Sequence, residues 1–331
     1  MKTFKINEKT QGKRLVRAIC TEFPKVNFSY VQKALKNKDI RINGKRVKSD
    51  EIVCQGEEIS VFLSDEILQG TDPGSMIKEK EVLKSTPMYS IVYQDENIIV
   101  INKRPGIAVH PGENTEGVSL IELVRQDLGN NEITLCHRID MNTGGLLLLA
   151  RNKAALASVI HAMDEKQISK RYRCLVRGIP DMGEAIVCDD GVRMKEMTAY
   201  LEKPTGKGDV YIHDEPKEGD LNIITRYKIL NKYNGVGPEQ EDVSELEVEL
   251  VTGRTHQIRA HFAHLGHPLL GDGKYGRNAY NRFFEAKKGK LKFQQLYATS
   301  LHFGLIPKGE LLIYLSNRTF TITPHYDITF K

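Results

Sequence analysis

The strongest apolar signal along the chain is the run Leu146 to Ala150, bounded by glycine on one side and arginine on the other. Its length suits a fully buried strand better than a helix. Alternation marks further strands. Ile91-Val92-Tyr93, a turn over Gln94 to Asn97 and the run Ile98 to Ile101 predict a β-hairpin. Lys170 to Val176 puts Tyr172, Cys174 and Val176 on one face and Arg171, Arg173 and Leu175 on the other. Strand pattern returns at Asn222 to Leu230 and at Leu246, Val248 and Leu250. Helical spacing covers Val118 to Leu128, ended by Gly129; a stretch from the capping residue Asn152 through Met163; and Thr255 to Leu265, stopped by Gly266.

Nearer the start the elements are smaller. Residues 12 to 23 set Leu15, Val16, Ile19 and Phe23 at helical spacing, and Ser29 is placed to cap a second short helix carrying Val31, Ala34 and Leu35. Ile40-Arg41-Ile42, the turn Asn43-Gly44 and Val47 read as a hairpin, followed by an apolar segment at Ile59 to Leu63. From Ser64 to Pro87 the chain is polar, with Gly70, Pro73 and Gly74 and no sustained period, and reads as a linker. Residues 181 to 222 are rich in glycine and acidic residues and show no clear pattern. The division is therefore a small α/β unit over 1–63, a linker over 64–87 and a larger α+β domain over 88–331.

Charge sharpens this division. Between Gly12 and Lys48 there are 11 basic residues and two acidic ones, a local +9 against +5 for the whole chain, which leaves −4 for the remainder. A basic module on a slightly acidic body is an electrostatic footprint for a polyanion. The five cysteines are scattered without a C-x-x-C pair, which excludes a zinc knuckle and a disulfide framework. No segment approaches the length of a membrane span and the N-terminus has no apolar signal core, so a reducing, cytoplasmic compartment is expected, with no membrane partner.

Chemistry concentrates just before the buried run, at Cys136-His137-Arg138-Ile139-Asp140-Met141-Asn142-Thr143-Gly144-Gly145. A carboxylate in a loop held by a rigid strand suits a nucleophile or a general base, and equally a cap on backbone amides. Four histidines, His256, His261, His264 and His267, raise the question of a metal. Their spacing does not converge on one point and no cysteine or carboxylate cluster completes a shell, so no metal is expected.

The wider pattern shifts the weight toward a reacting role for Asp140. His137-Arg138-Ile139-Asp140, Thr143, Gly145 and the aliphatic run closing on Ala150-Arg151 resemble the catalytic motif of the RluA-type pseudouridine synthases. Ile139 stands where Leu is usual, and Gly144 where Ser is usual, a change expected to loosen the loop. Asn102 to Gly112 is similar to the segment that opens that family's catalytic domain, with Arg104-Pro105 in place of Pro-Ala. Lys170 to Gly178 resembles its tyrosine motif, and Val251 to Phe262 with Gly271-Asp272 its third motif. The resemblance spans most of residues 90 to 305. It implies a mixed, largely antiparallel sheet with RNA lying in a cleft across it.

The resemblance also assigns roles. Asp140 acts at the ribose, by attack or by proton abstraction; Arg259 is its basic partner; Tyr172 stacks on the uracil and takes the C5 proton, with Ile258 packed against it. Arg138 fills the space left by the extruded base. His137, Arg254, Thr255 and Gln257, from the same motifs, are expected at the substrate. No cofactor is required.

The segment from Gly12 to Leu63 resembles an S-four-like RNA-binding domain, through Lys33-Ala34-Leu35, Ile40 to Lys45 and Gly56 to Ile59. Its expected RNA contacts are Lys13, Arg14, Lys33, Lys36, Arg41, Lys45 and Arg46, gripping phosphates. The expected enzyme is a monomer that isomerises uridines in structured RNA, in large-subunit ribosomal RNA by analogy. Transfer RNA as substrate, a non-catalytic RNA-remodelling protein and a metal-dependent nuclease are the alternatives.

Overall fold

The computed structural model describes residues 2–24, 26, 28–47, 49–69, 88–111, 118–202, 210–276, 278–288 and 291–330. They fall into two compact units, the first with the described residues up to 87 and Val118, the second with those of 88–112 and 119–331.

In the first unit a four-stranded antiparallel sheet, β1 (Lys2–Lys5), β2 (Ile40–Ile42), β3 (Lys45–Arg46) and β4 (Glu58–Val61), runs in the order β1-β4-β2-β3. Two helices, α1 (Leu15–Glu22) and α2 (Phe28–Lys36), pair with each other, and Leu15, Ile19, Ile40 and Ile59 are fully buried in the same core. Asp50 supplies the cap of α1 from a distance, its carboxylate accepting the Val16 N–H at 2.9 Å. The Asn43-Gly44 turn is a left-handed pair, φ 49° and 78°, as its hairpin requires. Three differences from the sequence pattern are local. Ser29 is already the second residue of α2 and so is not its cap. A strand precedes α1. The first residues of the expected linker fold as a helical turn, α3 (Asp65–Leu68), capped by Ser64 and holding Leu68 in the core; residues 70–87 lie outside the described residues.

Among its described residues the second unit is organised by one sheet of twelve strands. Its main path starts at β10 (Ile186–Val187), β11 (Arg193–Glu202), β13 (Leu221–Tyr233), β14 (Val243–Leu250) and β9 (Ile168–Arg177). It continues through β15 (Leu296–Phe303), β8 (Gly144–Ala150), β6 (Ile98–Lys103) and β5 (Tyr89–Gln94). β7 (Thr134–Leu135), β12 (Tyr211–His213) and β16 (Thr319–Thr321) pair with β8, β11 and β15. Among the described residues the pairing is antiparallel everywhere except β15 with β8. Every residue of β8 is buried, as an uninterrupted apolar run demands.

Among the described residues four α-helices accompany the sheet: α4 (Leu120–Leu128), α5 (Lys153–Asp164), α6 (Gln257–His264) and α7 (Asn278–Lys288). α4 begins two residues later than its pattern suggested, because Ser119 takes the cap position and Glu122 accepts from both its N–H and its hydroxyl. Asn152 caps α5 through the Ala155 N–H at 2.8 Å. The segment without pattern, 181–222, carries β10, β11, β12 and the start of β13. No described helix is long and apolar enough to cross a membrane.

Candidate active site

Asp140 lies in the loop that enters β8, and the strand behind it fixes where that loop stands. The Asp140 carbonyl accepts the Thr143 N–H, and the buried Thr143 hydroxyl accepts from Gln294 at 2.8 Å. Gly144 and Gly145 then run against β15. A Cβ on Gly144 would strike the Tyr297 ring, and one on Gly145, at φ +106°, would strike the Ala298 backbone. Gly144 therefore does not loosen the loop; its missing side chain is the space that Tyr297 fills.

The Asp140 carboxylate meets α6. Arg259 Nη1 donates to its Oδ2 at 2.9 Å, while Nε and Nη2 of the same guanidinium hold both oxygens of Asp272 at 2.7 and 3.1 Å. Asp272 is fully buried and also accepts the N–H groups of Lys274 and Tyr275. Burial alone would raise its carboxyl, yet Arg259 and those N–H groups outweigh burial and hold it below the usual range. One guanidinium thus bridges a fixed internal carboxylate and a carboxylate that keeps a quarter of its side-chain surface open.

Tyr172 stands on the inner face of β9, 5% exposed, between Val248 of β14 and Ala298 of β15. Burial pushes its hydroxyl up, and the Asp140 charge adds to that, so the two groups share one electrostatic neighbourhood. Ile258 is buried in the same core as Tyr172. Arg138 is exposed beside Asp140.

Two residues expected at the substrate turn inward instead. His137 accepts the Leu148 N–H at Nε2, 3.2 Å, so its proton sits on Nδ1, which is buried without a partner among the described residues. Burial and the charge of Lys170 lower its pKa to about 3. Its imidazole extends the β7–β8 ladder by one bond and steadies the loop that follows. Gln257 is 2% exposed and fully engaged: Oε1 accepts from Arg254 N–H and Thr252, and Nε2 donates to Ile224 and Thr225. It ties the start of α6 to β13. Arg254 and Thr255 lie exposed ahead of α6, whose first residue is Gln257 rather than Thr255.

Three residues belong to the site although sequence reasoning gave them no role. Asp272 is one. Lys103, 1% exposed at the end of β6, donates to the carbonyls of Arg104, Ile107 and Met141 at 2.8, 3.0 and 2.7 Å, which locks the loop after β6 to the Asp140 loop. Burial brings its pKa down to about 7, against the pull of Asp140. A lysine closing an apolar strand was the available signal. His256 caps α6 in the left-handed region, φ 54°, with Nδ1 on the Tyr275 hydroxyl at 2.9 Å and Nε2 3.9 Å from Asp140 Oδ2. The other three histidines turn to separate partners, His261 to Thr225, His264 to Asp214 and His267 to the Arg177 carbonyl. Among the described residues no group of three or more His, Cys, Asp or Glu could hold a metal ion.

In the first unit Arg14, Lys33, Lys36, Lys45 and Arg46 are exposed, and Lys13 and Arg41 half-buried. Lys13 donates to Thr21, Arg14 to the Asp50 carbonyl, and Arg41 lies over the Phe62 ring at 4.8 Å.

The site is thus a carboxylate braced by arginine near a buried tyrosine, carried by a long, largely antiparallel sheet. The family model described as RNA pseudouridylate synthase matches residues 97–264, and the chain belongs to that family. Within it the chain is of the RluA type. It is 28% identical over 312 residues to an uncharacterized RNA pseudouridine synthase of Aquifex aeolicus, covering 92% of this chain and 90% of the relative. It is 28% identical over 321 residues to ribosomal large subunit pseudouridine synthase D of Haemophilus ducreyi, covering 94% and 89%. Among solved structures, human RNA pseudouridylate synthase domain containing 4 aligns with a TM-score of 0.51 at 21% identity, over 75% of this chain and 92% of that one. That likeness concerns the fold. The protein is an RNA pseudouridine synthase.

Proposed function

We propose that Asp140 is the reacting carboxylate and that the substrate is a uridine of large-subunit ribosomal RNA. The observation that carries the reading is the Asp140–Arg259–Asp272 bridge beside Tyr172, in which Asp140 and Arg259 stand 119 residues apart in the chain. Pseudouridine formation breaks the bond from ribose C1′ to uracil N1, turns the base, joins C1′ to C5 and releases the C5 proton. It needs no net oxidation and no group from outside. Asp140, oriented by the hydrogen bond from Arg259, acts at the sugar. Tyr172 stacks on the freed uracil, in reach of the proton leaving C5. Arg138 enters the stack that the uridine has left, which costs a few kcal/mol to open. The basic face of the first unit adds phosphate contacts and hence affinity.

The relatives named for large-subunit ribosomal RNA support that substrate over transfer RNA. All five cysteines are free thiols, which supports a reducing, cytoplasmic compartment.

The test is a comparison of pseudouridine positions in cellular RNA with the gene intact, deleted and replaced by Asp140→Asn. One or more sites in large-subunit ribosomal RNA should vanish on deletion and stay absent with Asp140→Asn, while the purified variant melts normally and still binds the RNA. Pseudouridine formed by Asp140→Asn would remove Asp140 from the chemistry.

A further inference from the structure

β9 carries four cations beyond its first two residues: Lys170, Arg171, Arg173 and Arg177. Three lie on its outer face, and each has a carboxylate. Arg171 meets Asp190 at 2.6 Å, with Glu247 and Glu249 behind it; Arg173 meets Glu245 at 2.7 Å; Arg177 meets Glu241. Lys170 is the fourth. It lies on the opposite face, between Ile168 and Tyr172, and is half-buried.

Among the described residues its ammonium has no hydrogen bond and no ion pair. Its charge is felt by His137, immediately before Arg138 in the loop that carries Asp140. Lys170 is therefore bracketed by the two functional segments of the site, the tyrosine strand and the aspartate loop. The comparison with Lys103 is direct. That lysine is buried more deeply, and three carbonyls take the place of water around it. Nothing does so for Lys170. A partly dehydrated ammonium without a counter-charge is costly in a folded protein, unless an anion arrives. RNA brings one phosphate per nucleotide.

We propose that Lys170 is a phosphate-binding residue of the active site, holding a backbone phosphate next to the extruded uridine. This rests on the reading that the Asp140 site receives the target uridine. The role is positioning, since the phosphate takes no part in moving the base from N1 to C5. The remaining explanation is a flexible lysine whose head reaches water along the surface.

The test uses the full-length protein, an unmodified transcript of large-subunit ribosomal RNA, and single-turnover pseudouridine formation at several salt concentrations. For Lys170→Met the half-saturating protein concentration should rise roughly three- to tenfold at about 0.1 M salt, and its logarithmic dependence on salt should flatten by about 0.7–0.9, one phosphate's share. The limiting rate should stay within about twofold, and Lys170→Arg should restore most of the loss. The melting temperature of Lys170→Met should hold or rise, because an unpaired charge has gone. Unchanged half-saturation and salt dependence, or a fall confined to the limiting rate or the melting temperature, would overturn the assignment. Failure of the wild type to form pseudouridine in this transcript would instead overturn the reading beneath it, and the assignment with it.

Discussion

Two regions of the larger unit use arginine and carboxylate in opposite ways. On the outer face, Arg171, Arg226 and Lys228 share Glu196, Glu247, Glu249 and Asp190 in a network of half-exposed side chains. Each charge there has alternatives, including water. At the Asp140 site, one guanidinium is 9% exposed and holds two carboxylates, Asp272 at 0% and Asp140 at 26%. There the inner carboxylate satisfies most of the arginine, so the outer one is oriented without being consumed. A redundant network makes a stable surface. A three-member bridge with one open end leaves a carboxylate oriented yet accessible.

The largest expected contrast follows from cutting each arrangement once. Asp272→Asn leaves Arg259 buried without its main counter-charge, a break that usually costs about 3–5 kcal/mol; denaturant unfolding should show it, together with loss of pseudouridine formation. If stability fell by less than about 1 kcal/mol, Asp272 would not be the anchor described here.

Acidification separates the regions next. The folded pKa of His137, about 3, lies below its ordinary value of 6.5, so the unfolded chain binds the extra proton first. Its stabilising effect is complete above about pH 6.5 and is lost as pH falls toward 3, by at most about 1.4 kcal/mol per unit. His137→Gln, whose Oε1 can accept the Leu148 N–H, should flatten the decline in stability measured between pH 6 and pH 4. An unchanged slope would mean that the imidazole is not held neutral.

Arg171→Ala should do least. With four carboxylates and two other cations in the outer network, its loss should cost about 1 kcal/mol or less and shrink further in high salt. Activity should be unaltered in the same preparation. A cost approaching that of Asp272→Asn would erase the distinction between the two faces.

The sequence made some of this legible and hid the rest for identifiable reasons. The run Leu146 to Ala150 is buried on both sides and reads as such, and Asp140, Tyr172 and Arg259 stand in motifs with recognisable neighbours. β11 was invisible because its buried residues, Met194, Met197, Ala199 and Leu201, begin with a step of three that breaks the two-residue period. Asp272 follows a glycine and looks like a turn residue, which it is: it accepts two N–H groups just downstream. That the same carboxylate also faces an arginine thirteen positions earlier depends on the path of the chain from α6. His137 and Gln257 carry the opposite lesson. They sit in the same motifs as Asp140 and Arg259, but their hydrogen bonds hold the backbone that carries those side chains.

Among the described residues one junction is parallel, Gly144 and Gly145 against Tyr297 and Ala298, and it bears on the order of events during synthesis. The ledge on which Asp140 rests is completed by residues about 150 positions downstream, a contact of long sequence separation that forms late. A nascent chain emerging among ribosomal RNA would thus display its basic N-terminal unit well before it could alter a base.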